Sequence, residues 1–568
     1  MALVQPVNLL PPAVERTIEF KGLNRRDYFE EGEFADMENL ASDRYPYLAP
    51  RKLRGSLALP TGVVRPLQIM ARNDKLCMIA IDDQDAVNFY YDGVKVSAVT
   101  GLNTASYMVA INTKICFFPQ KTYIEILRDG TIGAFGNLDW SLANGTYYTS
   151  LGTDTFSFAA LPEGATDWIK ADDSVHILGT LTINSNSYDI DVYCLVKLVT
   201  TNPQHISVEA DSILQATEQT TGTGTFVGTI ERSSPDFDVV IEWNNRLWGA
   251  SSSDNIIHAC KLGDPTNWEY FQGTSMDSYY AEQGTDGEWT GAAIYSSHLV
   301  FFKESSMCRV YGSAPSNFQT ANMECFGVEK GSERSIVTIN DKTFYKSSIG
   351  IMAYQGGTPY LISEKFNAEY RNAVGGTEGL KYYVSLQKKG GGIDLMVLDV
   401  DRALWHKEDG LWMKATATVN NRLYCAHIGS ETIYCGNNTI CSDWLIIGEN
   451  AAAGISVFNP KEPTESYENL HWMAHFGAFD EYVEERKIYS KLALRFKNEG
   501  PCHIYVYISL DEGEWELVKE YVSQKTGGEM IPIIPRRCDR YSIKIEGTGN
   551  VEIKSLTRRV RQGTHGKL

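Results

Sequence analysis

The residues of this chain that could do chemistry begin with a histidine pair, His471 and His475. Their i,i+4 spacing would place two imidazoles on one face of a helix, as in some zinc sites. Zinc proteases carry a glutamate directly after the first histidine as general base, whereas this chain has Trp472 there. We therefore expect no metal site and no metal-dependent hydrolase.

A second candidate is the acidic stretch Ser509–Trp515, which is similar to the Asp-box turn of sialidase-type propellers. It is one residue short and occurs once, so an ordinary hairpin turn explains it. The chain has no Gly-rich phosphate loop, no Gly-x-Ser-x-Gly elbow and no paired carboxylates in a distinctive setting. We therefore predict that it is not an enzyme, with no catalytic residue, no cofactor-binding residue and no cofactor.

The 11 cysteines are an odd number and include no Cys-x-x-Cys pair. Most of them, such as Cys77, Cys116, Cys425 and Cys435, lie inside apolar runs of strand type. Cysteine in that setting acts as a small buried hydrophobe. We expect neither disulfides nor metal-bound thiolates.

Charge and composition exclude further classes of protein. The 568 residues include 52 Lys and Arg and 71 Asp and Glu, a formal net charge of −19, whereas a protein that grips DNA should be basic. No apolar run approaches the roughly 18 residues of a membrane span. The start, Met1–Pro6, lacks the basic and apolar parts of a signal peptide. We expect synthesis in a cytoplasm and no membrane insertion by this chain.

A repeated motif sets the frame in which all these side chains must lie. Its clearest copy is Asn244–Ser251, a polar pair that tolerates turn conformations followed by an apolar strand-like run. Seven copies begin at Asn73, Asn112, Asn244, Ser296, Asn340, Leu380 and Asn420, the one at Leu380 being degenerate. Five of the six steps between successive copies are about one unit long, and a unit of about 43 residues is the size of a four-stranded propeller blade.

A second strand and another turn follow each copy, which completes a blade. One such sheet cannot bury both of its faces, but seven sheets in a ring can. We predict an all-β chain: a seven-bladed β-propeller with an inserted small β domain and a C-terminal β-sandwich. Equivalent copies should place Leu247, Leu299 and Leu423 in similar buried positions. The alternative is a run of unrelated hairpins in β-sandwich domains.

Interruptions of the repeat indicate the domain boundaries. The step between the second and third copies is 132 residues, which is too long by roughly 90 and predicts an insertion there. This insertion is acidic, with ten Asp and Glu against two Lys. The predicted domains are an N-terminal arm (1–60), blades 1 and 2 (61–140), the inserted acidic β domain (141–230), blades 3 to 7 (231–450), and a C-terminal β-sandwich with a basic tail (451–568).

The basic tail, residues 558–568, contains four Lys and Arg and no acidic residue. A solvated tail would explain this composition. An electrostatic contact with an acidic neighbouring subunit would explain it as well, and both interpretations stay open at this point.

Five motifs together resemble structural proteins encoded by bacteriophages and prophages, often of Gram-positive hosts. The resemblance covers most of the chain outside residues 141–230. The motifs are Gly32–Leu40 with Pro50–Lys52, Asn244–Gly249, Leu262–Trp268, Phe326–Gly331 and Ile534–Asp539. More distantly, the layout is similar to the tail nozzle, or packaged-DNA stabilisation, proteins of short-tailed phages.

This resemblance implies a virion protein: a propeller-bearing subunit of a nozzle or hub ring that closes or lines the DNA exit channel below the portal and adaptor. The implied partners are six copies of the chain in a ring, the tail adaptor, and fibre or needle proteins. An acidic surface repels phosphate, which suits DNA that passes without specific binding. No active-site residue is implied.

Two other functions stay open. The first is a propeller virion protein that binds or cleaves host-surface glycan, for which the 11 Trp and 31 Tyr could supply stacking platforms. The second is a tail-tip or baseplate protein of a long-tailed phage.

Overall fold

The computed structural model describes residues 13–159, 161–166, 169–201, 203–428, 433–434, 446–447, 453–480, 487–523 and 527–562. The start Met1–Pro6, Cys435, the predicted domain boundary at residue 450 and the end of the basic tail, 563–568, lie outside these ranges. Two compact units divide the chain: unit 1 combines Met1–Leu76 with Glu329–Leu568, and unit 2 is Cys77–Val328.

The chain forms a seven-bladed β-propeller with an inserted β domain and a C-terminal β-sandwich, as predicted. Each predicted copy of the motif begins at the turn between the first and second strands of one blade and continues into the second strand. The polar pairs adopt the left-handed backbone that such a turn requires, for example at Asn244 (φ 51°) and Asn245 (φ 59°). Asn and Asp tolerate this conformation, which explains why they recur at these positions.

The N-terminal arm runs through six short strands before the first blade begins. They are β1 (Ala13–Thr17), β2 (Gly22–Leu23), β3 (Glu33–Glu38), β4 (Leu40–Ala41), β5 (Ala49–Pro50) and β6 (Arg54–Leu57).

Blades 1 and 2 are antiparallel four-stranded sheets. Their strands are β7 (Val63–Arg72), β8 (Lys75–Asp82), β9 (Val87–Tyr91), β10 (Val94–Lys95), β11 (Tyr107–Ile111), β12 (Lys114–Phe118), β13 (Thr122–Ile126) and β14 (Ile132–Asn137).

The insertion between blades 2 and 3 is a closed six-stranded barrel in unit 2. Its apolar side chains alternate inward and fill the interior, with Phe156, Ile177 and Phe226 fully buried. The elements are β15 (Trp140–Leu151), β16 (Thr155–Ala159), β17 (Ser174–Ile183), β18 (Asn186–Thr201), β19 (Gln204–Glu209), α1 (Asp211–Thr217) and β20 (Gly222–Arg232).

Blades 3 to 6 repeat the same antiparallel order. Short 3-10 turns lie at Pro315–Asn317, Glu333–Ser335 and Glu364–Phe366. The strands are β21 (Val239–Trp243), β22 (Arg246–Ser251), β23 (Ile256–Ala259), β24 (Tyr279–Glu282), β25 (Trp289–Tyr295), β26 (His298–Lys303), β27 (Ser306–Tyr311), β28 (Gln319–Glu324), β29 (Val337–Ile339), β30 (Lys342–Ser347), β31 (Gly350–Tyr354), β32 (Tyr360–Leu361), β33 (Tyr370–Glu378), β34 (Lys381–Lys388), β35 (Ile393–Asp399) and β36 (Leu404–Glu408).

Blade 7 is completed by a strand from the other end of the chain. Its sheet order is β37 (Trp412–Val419), β38 (Arg422–Ile428), β41 (Ala453–Phe458) and then β6 from the arm; the small pair β39 (Ile433–Tyr434) and β40 (Ile446–Ile447) lies between β38 and β41 in sequence. Ile455 pairs with Leu57 and Phe458 with Arg54. The predicted arm (1–60) therefore supplies β6 as the outer strand of blade 7, and through β41 this blade extends past the predicted limit at 450 to Phe458.

The first strands of successive blades contact one another, which makes them the innermost strands. In unit 1 this series is β29, β33, β37 and β7, and in unit 2 it is β11, β21 and β25. The second strands lie between two others and are the most buried. Leu247, Leu299 and Leu423 sit on three of these second strands at 0% exposure, as predicted.

Truncation of one of these leucines, Leu247→Ala, is expected to lower the free energy of unfolding by about 2–5 kcal/mol, because it removes buried apolar contacts and leaves a cavity. Denaturant unfolding of the full chain measures the change. Leu127→Ala is the matched control, since Leu127 is 41% exposed, and it should change stability by no more than about 0.5 kcal/mol. Equal effects of the two variants would contradict the buried position of Leu247 in its blade.

The C-terminal sandwich is built on two long strands that bend. Its strands are β42 (Trp472–Phe476), β43 (Lys487–Leu510), β44 (Glu516–Ser523), β45 (Gly527–Cys538) and β46 (Tyr541–Gln562). Register shifts interrupt the pairing of β43 with β46, so each strand serves both layers. The arm strands β1 and β3 pair with β46 and β42, which extends both edges. The alternating apolar residues of these strands, such as Leu494 and Val506, are buried.

The predicted basic tail, residues 558–568, is partly an internal strand. Residues up to Gln562 continue β46, and Ala13–Thr17 pairs alongside them. Arg558 is only 3% exposed and donates a hydrogen bond to Thr17 Oγ1 at 2.8 Å. Its guanidinium also lies 4.0 Å from the centre of the Phe479 ring. Sheet pairing therefore holds residues 558–562 within the chain, and Arg558 is buried there. Arg559 and Arg561 are exposed, and a contact of their side chains with a neighbouring subunit stays a prediction.

Candidate functional site

The arm motif Gly32–Leu40 lies at a charged joint within unit 1, which we call the arm joint: Asn39, Arg51, Arg54, Glu408, Asp409 and Glu465. The arm enters it through a tight backbone approach at Gly32, whose φ is +90° and where a Cβ would lie 2.1 Å from the Glu19 carbonyl oxygen. Only glycine fits such a position.

Arg51 is the centre of the arm joint, with a side chain only 2% exposed. Its guanidinium donates to Glu465 at 2.7 Å and to Asp409 at 3.1 Å, and its Nε donates to Asn39 Oδ1 at 2.9 Å. Burial opposes the charge of Arg51, but the hydrogen bond to Glu465 and the charges of Glu408 and Asp409 raise its pKa above the ordinary value. The ion pairs therefore keep a deeply buried guanidinium charged.

Arg54 extends the arm joint from strand β6. It pairs with Glu408 and with Asp409, the latter at 2.9 Å, and its guanidinium lies 5.0 Å from the centre of the Phe458 ring. Burial would raise the pKa of Asp409, but the charges of Arg54 and Arg51 lower it. The arm joint thus connects the arm, the end of blade 6 and the linker that leads to β42. Its two arginines and three carboxylates form ion pairs with one another.

A second cluster of charged side chains lies in unit 2, where the barrel meets blades 2 and 3. It is a cleft of about 1170 Å³. Arg232 and Asp173 form a buried ion pair at 2.6 Å, and Asn267 donates to the other Asp173 oxygen at 2.8 Å. Burial raises the pKa of Asp173 even though Arg232 opposes the shift. Lys121 crosses to Asp236 at 2.7 Å.

The motif Leu262–Trp268 forms the blade 3 side of this cleft. Asp264 Oδ1 accepts hydrogen bonds from the backbone N–H and the hydroxyl of Thr266, and the Trp268 indole donates to the Pro265 carbonyl at 3.0 Å. Trp268 packs back on the blade at 3% exposure. The motif therefore shapes a joint between the barrel and its blade.

Glu269 follows this motif and faces the barrel. Burial raises its pKa to about 7, with only partial opposition from His176. Because the folded pKa lies above the ordinary value of 4.5, the folded state retains a proton that the unfolded state has lost. Stability is therefore expected to fall as the pH rises from about 4.5 to 7, and to change no further through this group above that range.

The variant Glu269→Gln is expected to remove this pH dependence and to exceed the stability of the unaltered chain at pH 8. Denaturant unfolding between pH 5 and 8 is the measurement. The exposed Glu282, changed to Gln, is the control and should leave the slope in place. Parallel curves for Glu269→Gln and the unaltered chain would contradict the prediction.

The structure does not bring the candidate histidines His471 and His475 together with the acidic side chains of the stretch Ser509–Trp515 in a common site. His475 lies on β42 with its ring edge-on to Trp515 at 5.0 Å, and His471 lies exposed before that strand, so the pair is not on a helix. Asp511 and Glu512 have positive φ values, which confirms the hairpin turn. Among the described residues, no group of three or more His, Cys, Asp and Glu could hold a metal ion.

The described cysteines are buried apart from the half-buried Cys325. Burial raises the pKa of Cys194, Cys260, Cys308 and Cys425 to about 12. These thiols stay protonated near neutral pH and are poor nucleophiles.

An aromatic ladder on the outer face of the sandwich was missed by sequence reasoning. His503 and Tyr505 lie 4.3 Å apart between ring centres, Tyr505 and Tyr507 lie 6.4 Å apart, and the Lys544 ammonium lies 4.5 Å from the Tyr507 centre and 5.4 Å from Trp515. The sequence signal that could have predicted this ladder is the alternation of Tyr505 and Tyr507 with the buried Ile504 and Val506, which places the two tyrosines on the same outer face of the strand. The ring faces contact one another and Lys544, which does not favour stacking of a sugar on them. Binding or cleavage of host-surface glycan stays a prediction.

Comparisons with known proteins give structural similarity only. No family description and no curated protein matches the chain. Hsv2 of Kluyveromyces lactis is 11% identical over 52% of this chain and 89% of that one, with a TM-score of 0.24. PorZ, a surface component of the type-IX secretion system of Porphyromonas gingivalis, is 11% identical over 89% of this chain and 77% of its own, with a TM-score of 0.25.

An exo-beta-1,3-galactanase of Phanerochaete chrysosporium is 10% identical over 89% of this chain and all of its own length (100%), with a TM-score of 0.20. Similarity at this level carries no argument about activity, ligand or partner. In the part of the chain that the structure describes, no helix is long and apolar enough to cross a membrane.

Proposed function

We propose that this chain is a structural component of a phage tail, a nozzle or hub ring subunit that closes or lines the DNA exit channel below the portal and adaptor. The observation that carries the proposal is where the resembling motifs lie. The arm motif builds the arm joint of unit 1, and Leu262–Trp268 builds the barrel cleft of unit 2. Characteristic motifs that form joints between elements favour a rigid subunit of an assembly. In an enzyme, the characteristic motifs would instead surround the reactive groups.

The number and variety of surfaces support assembly into a ring. A propeller, an acidic barrel and a sandwich give one subunit several unlike faces. Unlike faces suit head-to-tail contacts, which close into a ring when the rotation between subunits allows it. We propose a homo-hexamer that contacts the tail adaptor and fibre or needle proteins, because the resemblance to nozzle proteins implies six copies.

The charge of the chain supports passage of DNA without specific binding. A net charge of −19 at neutral pH repels the phosphate backbone. We also infer that the chain has no catalytic activity of its own, since neither of the two joints combines a nucleophile with a base in reach of a substrate.

Electron cryomicroscopy of tails from particles that carry this chain tests the proposal. The expected result is a sixfold ring of this chain between the adaptor and the tip. A monomer, a trimeric fibre, or absence of the chain from the particle would each reject the nozzle. A ring of the chain at the distal end of a long tail would instead establish the tail-tip alternative.

A further inference from the structure

The cleft of about 1170 Å³ between the barrel and blades 2 and 3 is large enough to hold a ligand. Pockets for small molecules usually measure about 300–1,000 Å³, so this cleft has room for a ligand of several linked units. Its walls include the blade 2 hairpin of β13 and β14, the start of β15 and the blade 3 turn at Gly263–Thr266, all within unit 2. A concave site where separate elements meet is a typical place for a ligand.

The charged side chains that line the cleft balance one another. Four are basic and four are acidic, so their formal charges cancel, although the whole chain has a net charge of −19. Three of the four cations form ion pairs at 2.6–2.7 Å: Arg232 with Asp173, Lys114 with Glu125 and Lys121 with Asp236. A lining of this kind attracts neither an anion nor a cation strongly, and it favours an uncharged ligand.

Neutral hydrogen-bonding groups also line the cleft. They are the Tyr123 hydroxyl, the Asn137 side-chain amide and the Ser141 hydroxyl. Within the part of the chain that the structure describes, none of the three groups forms a hydrogen bond. Tyr123 pairs with Gly136 across the blade 2 hairpin, directly beside Asn137, and Ser141 lies at the start of β15. A phenol, an amide and a hydroxyl can each donate and accept hydrogen bonds, so these groups are available to a ligand.

Apolar surface lies beside these groups. The half-buried Phe135 and Trp140, which is 9% exposed, line the same cleft. The Tyr123 ring crosses the backbone at Gly136, where a Cβ would lie 2.8 Å from the phenol oxygen. Glycine therefore leaves the space that this ring occupies. The cleft thus offers apolar contact and neutral hydrogen bonds side by side.

We propose that this cleft binds an uncharged oligosaccharide through Tyr123, Asn137 and Ser141. A sugar ring has hydroxyl groups around its edge and C–H groups on its faces, so it needs neutral hydrogen-bonding partners next to apolar surface. The volume of the cleft exceeds that of a pocket for one small molecule, which favours several linked sugars. This proposal goes beyond the tail role and does not rest on it, because sugar binding by the isolated chain and ring formation in the particle are separate measurements.

Isothermal titration calorimetry of the full chain with four neutral hexasaccharides tests the site. The probes are maltohexaose, chitohexaose, mannohexaose and galactohexaose, which present glucose, N-acetylglucosamine, mannose and galactose. We expect at least one of them to bind, one molecule per chain, with a dissociation constant of about 1 mM or lower. Absence of binding heat for all four probes at millimolar concentration would overturn the proposal.

Two pairs of variants locate the binding site. Ser141→Trp fills the cleft and should abolish binding, whereas Ser150→Trp, on an exposed serine of the same strand outside the cleft, should leave it unchanged. Tyr123→Phe removes one hydroxyl and should weaken binding about two- to tenfold, the effect of one hydrogen bond. Tyr280→Phe is its control, because Tyr280 is 61% exposed in the same unit and does not line the cleft. Circular dichroism verifies the fold of each variant.

Salt dependence separates an uncharged ligand from a charged one. Affinity for the neutral hexasaccharide should be the same at about 0.05 and 0.5 M NaCl, because screening acts only between charges. Tighter binding of hexagalacturonate, a polyanion, would show that the cleft takes an acidic ligand and would overturn the proposal. Equal losses of affinity in Ser141→Trp and Ser150→Trp, or in Tyr123→Phe and Tyr280→Phe, would place the sugar outside the cleft and reject it as well.

Discussion

Replacement of Arg51 by methionine is expected to lower the free energy of unfolding of unit 1 by about 3–5 kcal/mol, because it leaves buried carboxylates without their partner. The Arg51 side chain is 2% exposed and lies 2.7 Å from Glu465 and 3.1 Å from Asp409. Glu408, 4% exposed and 3.6 Å away, would depend on Arg54 alone. Methionine keeps the apolar stem of the side chain, so the loss reports the charge and its hydrogen bonds.

Differential scanning calorimetry of the full chain measures this loss as a lower transition temperature, with urea unfolding as a second method. The matched control is Arg536→Met, since Arg536 is 46% exposed and pairs at 2.6 Å with Glu516, which is 51% exposed. An exposed pair of this kind contributes about 0–1 kcal/mol. If Arg51→Met destabilises the chain no more than Arg536→Met, the arm joint is not an energetic centre of unit 1.

Deletion of residues 1–57 is expected to abolish cooperative folding of unit 1. The deletion removes β6, which pairs with β41 at the outer edge of blade 7, and also β1 and β3, which pair with β46 and β42 of the sandwich. The exposed edges would have unpaired backbone groups, and apolar side chains of the sandwich such as Phe476, which packs against Phe34 at 4.8 Å between ring centres, would lose their cover. Aggregation of the truncated chain would follow.

The matched control is deletion of residues 1–12, which retains every strand from β1 onward. Soluble yield, circular dichroism and limited proteolysis compare the two truncated chains with the complete one. The shorter deletion should behave as the complete chain does. A soluble, protease-resistant protein that lacks residues 1–57 would show that blade 7 and the sandwich fold without the arm.

Much of the fold could be predicted because its signals are local. A tight turn at Asn244 and Asn245 needs residues that tolerate left-handed backbone, and the buried strand that follows needs apolar side chains. Seven such signals at a regular spacing indicate seven blades. The long step after Asn112 indicates the insertion, and alternation of apolar residues indicates the sandwich strands.

Pairing between distant segments was decided by the tertiary structure alone. Arg54–Leu57 gives no local sign that it will lie beside Ala453–Phe458, about 400 residues later in the chain, because an edge strand needs only a backbone and a free neighbour. Arg558 looks like part of a solvated basic tail until β1 and Glu31 surround it. A sequence pattern describes which face a residue prefers but not which strand will cover it.

The same distinction applies to the candidate sites. The sequence by itself determined that this chain is an acidic all-β protein with seven repeated blades, an insertion and no recognisable catalytic motif. Only the tertiary structure decided that Arg51 meets Glu465 and that Arg232 meets Asp173. Residues hundreds of positions apart acquire a shared electrostatic environment only when the ring of blades closes, because charges act over distances in space and not along the chain.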